Sequence, residues 1–212
     1  MSKTDTNKLK NFFENSYKTI IINEDRKKLL SKIAHKIADC YVVYDDQINI
    51  NFICTHNSRR SQISQVWTFF ASHYFNLNIN GLSGGTEVSS FHNNTAKSLE
   101  DIGFVFNIKE SSDLNPVYEI SFNGTDKSLL GFSKIYDHSI NKLPYLVLTT
   151  CDDANENCPF IPEAIHRFHL PYKDPKYSDN LPNQEATYIQ INKEIAAEIY
   201  FLFDEVKKLF CK

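Results

Sequence analysis

The stretch Cys54-Thr55-His56-Asn57-Ser58-Arg59-Arg60-Ser61 constrains this chain more than any other. An alternating apolar run, Ile48, Ile50 and Phe52, leads into it. An apolar pattern of helical period, Ile63, Val66, Phe70 and Tyr74, leads out. The order is therefore strand, tight loop, helix start. A loop in that place aims backbone N–H groups at one spot, with the positive end of the helix dipole behind them. Such a nest binds a tetrahedral oxyanion. A cysteine at its base is favoured as thiolate by those donors and by Arg60, which makes it a nucleophile. Arg60 can hold two anion oxygens through its planar fork, which lysine could not do. The plainer alternative is a buried structural Cys54 beside two solvated arginines. Asn57 and two serines in a short loop without an apolar residue argue for the nest.

At 212 residues the chain has the size of one ordinary domain, with 42% hydrophobic residues to build its core. A net charge of −3 gives no reason to expect nucleic acid or an anionic membrane as partner. Met1 to Lys10 is polar and lacks a signal-peptide core, and no stretch is long enough to span a bilayer. A reducing cytoplasm is the expected compartment. There Cys40, Cys54, Cys151, Cys158 and Cys211 do not read as a disulfide framework. Their spacing fits no common zinc pattern either, so neither metal nor cofactor is expected.

Two helical patterns open the chain. Phe13, Tyr17 and Ile20 share one face, and Leu30, Ile33, Ala34, Ile37 and Ala38 share another. They predict an N-terminal helical extension over residues 1–46, whose role is packing on the main domain or a dimer contact. A short strand at Asn78–Ser83 ends in Gly84-Gly85, where the chain must turn sharply. Asn93 to Ile102 reads as a helix stopped by Gly103. Residues 105–143 are the least regular, with an alternating strand at Val117–Phe122 and a hairpin signal at Asn123-Gly124. Tyr145–Thr150 reads as a buried strand, and Ile191, Ile195, Ile199, Leu202 and Val206 as a long C-terminal helix. Strands alternating with helices predict an α/β fold, a parallel sheet covered on both faces.

Cys151 and Cys158 follow the buried strand, at the sheet edge where ligands of α/β proteins bind and where the Cys54 loop also leaves. Two thiols in a polar, mobile segment beside a nucleophilic thiolate suggest a relay of disulfide exchange. Two ordinary cysteines would give the same spacing. Asp174, before Pro175, is an acid that could protonate a leaving oxygen, or a solvated residue starting a turn.

Together these segments resemble the low-molecular-weight protein tyrosine phosphatase family and, within it, the thioredoxin-coupled arsenate reductases. The family loop is Cys-x-Gly-Asn-x-Cys-Arg-Ser. Ser83-Gly84-Gly85-Thr86-Glu87 resembles the family's Ser-Ala-Gly-Thr-Glu, and Asp174-Pro175 its general-acid loop. Cys151 to Pro159 resembles the redox segment of the reductases, and plain phosphatases lack that pair. The resemblance runs from about Ile48 to the C-terminus and implies a four-stranded parallel sheet flanked by helices over residues 47–212, with an insertion at about 105–143. Three departures stand out: His56 replaces a glycine, Arg59 replaces the loop's second cysteine, and Gln65 stands where such reductases often have an acidic residue near a potassium site.

The resemblance implies catalytic roles for Cys54, Arg60, Asp174, Cys151 and Cys158, and oxyanion binding by Thr55, His56, Asn57, Ser58, Arg59, Arg60 and Ser61. The first expectation is arsenate reduction with a thioredoxin as partner. The alternative is phosphomonoester hydrolysis on a phosphotyrosine protein through a cysteinyl-phosphate. A third, a non-catalytic anion-binding module, is opposed by the intact nucleophile, clamp and acid.

Overall fold

The computed structural model describes residues 4–157, 161–162 and 164–210. Its elements run α1 (Thr4–Thr19), α2 (Glu24–Val43), β1 (Ile48–Cys54), α3 (Arg60–Phe75), β2 (Ile79–Gly85), α4 (Asn93–Ile102), β3 (Phe104–Glu110), β4 (Val117–Phe122), β5 (Leu129–Gly131), β6 (Tyr145–Thr149), α5 (Asp152–Asn157), β7 (His166–His169), a 3-10 helix (Pro175–Ser178) and α6 (Gln184–Phe210). The expected four-stranded parallel sheet is present, in the order β2-β1-β6-β7. Helices flank it, as expected. Because β1 is central, Cys54 at its C-terminal end lies between Gly85 of β2 and the end of β6, where Ile53 pairs with Thr149.

The predicted helical faces are the buried ones. Ile63, Val66 and Phe70 of α3 and Ile191, Ile195, Ile199, Leu202 and Val206 of α6 all lie in the core. Gly103 stops α4 at φ +131°, a conformation L side chains rarely adopt. The N-terminal helices join the same core through Phe13, Leu30, Ile33 and Ile37. Trp67 of α3 stacks on both Phe12 and Phe13, each at 5.5 Å, and its indole N–H donates to Asn192 Oδ1 at 3.0 Å. Aromatic pairs of this kind add about 0.5–1.5 kcal/mol each beyond their burial. No helix among the described residues is long and apolar enough to cross a membrane.

Residues 105–143 are more regular than their sequence suggests. β3, β4 and β5 make a separate antiparallel sheet, and its Phe104, Ile120 and Phe122 are buried against the main core. The expected strand at Val117–Phe122 is there. Asn123-Gly124 opens a longer connection to β5, with Gly124 at φ +102°. At Gly84 and Gly85 the reason for glycine is close approach. A Cβ on Gly84 would stand 2.3 Å from Tyr136 Cα, and one on Gly85 would stand 2.6 Å from Thr55 O.

Candidate active site

The Cys54 loop is held from outside by its carbonyls. Thr86 N donates to Cys54 O, Glu87 N to Thr55 O and His92 N to Ser58 O. Ser133 Oγ donates to His56 O at 2.8 Å, Gln62 Nε2 to Asn57 O at 3.0 Å, and Ile63 N to Arg59 O. Every carbonyl from Cys54 to Arg59 is thus occupied. The N–H groups of residues 56–60 have no acceptor among the described residues. Free amides around a strand-to-helix turn are what an anion nest requires.

The strained position is Asn57, at φ +45°. The family pattern put the conformational demand on His56, but His56 is absent from the positive-φ residues. Asparagine tolerates the left-handed region better than most side chains. Its amide also earns the position: Nδ2 donates to Ser61 Oγ at 2.9 Å, while Oδ1 accepts from Lys134 N at 3.0 Å and Gln62 Nε2 at 3.1 Å. Ser61 Oγ in turn lies 3.1 Å from Cys54 Sγ. Cys54 is buried at the base of a cleft of about 170 Å³, lined by Thr55, His56, Ser58, Arg59, Arg60, Asp153, Asp174 and Lys176.

The two adjacent arginines do different things. Arg60 donates through Nη2 to Asp174 Oδ2 at 2.5 Å and through Nη1 to Tyr172 O at 3.1 Å. The expected clamp and the expected acid are therefore joined in one ion pair at the cleft. Asp174 also caps the 3-10 helix, accepting from Lys176 N at 3.0 Å. Arg59 is turned to Asp179 Oδ2 at 2.6 Å and Tyr188 Oη at 2.7 Å. Burial opposes the charge on Asp179, but Tyr188 and Arg59 outweigh it and hold the carboxyl below its ordinary range. Burial pushes Tyr188 up to about 12. The charge that Arg59 adds to the loop is thus neutralised locally by Asp179.

Cys151 is buried on the other flank, its Sγ 3.5 Å from Thr55 Oγ1 and within reach of Ala154 N at 3.4 Å. The polar segment after it forms the short helix α5. Arg167 of β7 donates to the carbonyls of Ala154 and Asn155 at 3.1 and 2.5 Å. His169 Nε2 meets Asp152 Oδ1 at 2.9 Å. Cys158, the second thiol of the expected pair, lies outside the described residues.

Comparison with known proteins adds the kinship. No family model matches the chain. Arsenate reductase 1 of Bacillus cereus is 29% identical over 156 residues, which cover 73% of this chain and 93% of that protein. Arsenate reductase of Bacillus subtilis is 27% identical over 141 residues, covering 66% and 84%. The chain is thus similar to curated arsenate reductases over about two thirds or more of its length. Among solved structures, the thioredoxin-dependent arsenate reductase of Corynebacterium glutamicum aligns over 99% of this chain and 89% of its own, at 19% identity and a TM-score of 0.47.

The sequence names the loop and Asp174 but not what holds them. Asp153 and Lys176 also line the cleft. Asp179 and Tyr188 anchor Arg59, and Ser83, Gln62, Gln65 and Lys134 form a buried polar layer behind the loop. Gln62 and Gln65 carry a signal, since two amides flank Ile63 and Val66 within the buried first half of the helix.

Proposed function

We propose that this enzyme is a thiol-dependent arsenate reductase. The observation that carries the reading is the Cys54 loop, whose carbonyls are all engaged and whose N–H groups are free above a buried thiol. Arsenate binds those N–H groups and Arg60, which exchanges Asp174 for the anion. Cys54 sulfur attacks arsenic, and Asp174 protonates the departing oxygen, giving a Cys54–arsenic(V) adduct. Cys151 sulfur then attacks Cys54 sulfur. The sulfur–arsenic bond breaks with its electron pair moving to arsenic, so arsenite leaves and a Cys54–Cys151 disulfide remains. Cys158 attacks Cys151, frees Cys54 and leaves a Cys151–Cys158 disulfide for a thioredoxin to reduce. The short path from Thr55 Oγ1 to Cys151 Sγ supports Cys151 as first resolving thiol.

One observation favours a second reading. Cys54, Arg60 and Asp174 line a single cleft without help from Cys151. That set suffices for phosphomonoester hydrolysis through a cysteinyl-phosphate resolved by water, with a phosphotyrosine protein as substrate. Arsenate-dependent NADPH consumption with a thioredoxin system, run beside p-nitrophenyl phosphate hydrolysis, decides between them. Consumption that requires arsenate supports the reductase. Hydrolysis without it replaces that reading with the phosphatase.

A further inference from the structure

Lys134 is only 2% exposed, yet no carboxylate is bonded to it. Its Nζ donates to Ser83 Oγ at 3.1 Å and Phe132 O at 3.3 Å, and stands 4.7 Å from the centre of the Phe132 ring. The groups presented to it are neutral: Ser83 from β2, Gln62 and Gln65 from α3 behind that serine, and Phe132 from its own segment. A buried ammonium with neutral acceptors costs stability, so it calls for a reason.

The same residues fail the test for a metal cation. The resemblance places a potassium ion near position 65, beside an acidic side chain. Here Gln65 is neutral, and its Oε1 accepts from Ser83 Oγ at 2.5 Å. Ser83 Oγ in turn faces the Lys134 ammonium. A hard cation needs free oxygen ligands, and this layer already holds a positive charge on them.

The layer leads straight to the thiol. Ser83 Oγ, which accepts from the ammonium, donates to Gln62 Oε1 at 3.3 Å, Gln62 Nε2 donates to Asn57 Oδ1, Asn57 Nδ2 to Ser61 Oγ, and Ser61 Oγ lies beside Cys54 Sγ. The main-chain N–H of Lys134 also donates to Asn57 Oδ1, a bond that the side chain's charge does not control. We propose that the Lys134 ammonium is the resident cation of this loop, replacing a potassium ion, and that it is a positioning residue for Asn57, Ser61 and the Cys54 thiol. Burial lowers its pKa from 10.5 to about 7, so its charge is lost as pH rises through 7.

The test uses the full chain. Thermal unfolding is followed in potassium chloride and in tetramethylammonium chloride at equal ionic strength. The wild type is expected to unfold at one temperature in both. Lys134→Met removes the charge at similar length. It is expected to slow iodoacetamide alkylation of Cys54 about tenfold. It should also remove a flattening of the wild-type rate–pH profile near 7, a change that loss of packing alone would not produce. A potassium-specific rise in the wild-type unfolding temperature would overturn the proposal, whether or not the variant folds. So would Lys134→Met with the wild-type alkylation rate and profile. The alkylation arm rests on Cys54 being a nucleophile and the thermal arm does not, so failure of that reading shows as an unreactive wild type while the thermal result still judges Lys134.

Discussion

The two flanks of the Cys54 cleft are built on different plans. The acid flank, Asp174 to Asp179, is tied to the loop by charge: Arg60 holds Asp174 and Arg59 holds Asp179. The thiol flank, Cys151 to Asn157, meets the loop through the weak Thr55–Cys151 contact and the apolar cluster that Cys151 and Ala154 share with Cys54, and is secured from β7 by Arg167 and His169. One flank is fixed to the anion site and the other to the sheet behind it. That separation suits a chemistry in which the acid must stay with the substrate while the thiol serves a later step.

Mutations can break the comparison flank by flank. The largest contrast is expected from Cys151→Ser. It should abolish arsenate reduction under thioredoxin and leave p-nitrophenyl phosphate hydrolysis largely unchanged, as read by the paired assays. A variant that still reduces arsenate with thioredoxin as sole reductant would make the thiol flank irrelevant to the chemistry.

Arg60→Lys should lower both activities together, by about a hundredfold or more, because a point charge cannot replace the bidentate fork. Circular dichroism should show the fold retained. Arg167→Met loosens the thiol flank. It is expected to cut arsenate turnover by roughly tenfold while phosphomonoester hydrolysis holds, the size usual for a residue that orients a reacting one. Equal losses in both assays would show that the flanks are mechanically coupled.

Arg59→Lys should have the smallest effect. It keeps the charge beside Asp179 and loses one of the bonds to Tyr188 and Asp179, a cost of about 1 kcal/mol in urea unfolding with turnover changed only modestly. If it proved more damaging than Arg60→Lys, the anion clamp would be Arg59 and the loop would have been aligned one residue out.

Much of this could be read in advance, for local reasons. The alternation at Ile48–Phe52 and the helical spacing from Ile63 are short-range patterns, and they fixed where Cys54 sits. The family likeness then supplied Asp174 and Cys151, which no periodicity reveals. What escaped depends on distant contacts. β7 reads His166-Arg167-Phe168-His169, too polar to look like a strand, because it is the sheet's edge. β3 ends in an exposed run, Asn107 to Glu110, so only Phe104 and the half-buried Phe106 betray that it packs on the core. Lys134 lies in a stretch without period, and its burial is created by Ser83 and Gln62, far away in sequence.

The Arg60–Asp174 ion pair has a consequence for selectivity. A carboxylate already seated on the guanidinium is a built-in competitor, present at fixed effective concentration whatever the solution contains. The apparent affinity for any anion is lowered by the fraction of time Arg60 is free of it. A singly charged visitor offers the guanidinium little that Asp174 does not. A tetrahedral dianion offers two oxygens to the fork and further oxygens to the free amides. On the proposed reading the pair lowers every anion's affinity alike, so it sets a threshold that chloride, acetate and other common monoanions fail to clear, while the preference for a dianion comes from the fork and the amides.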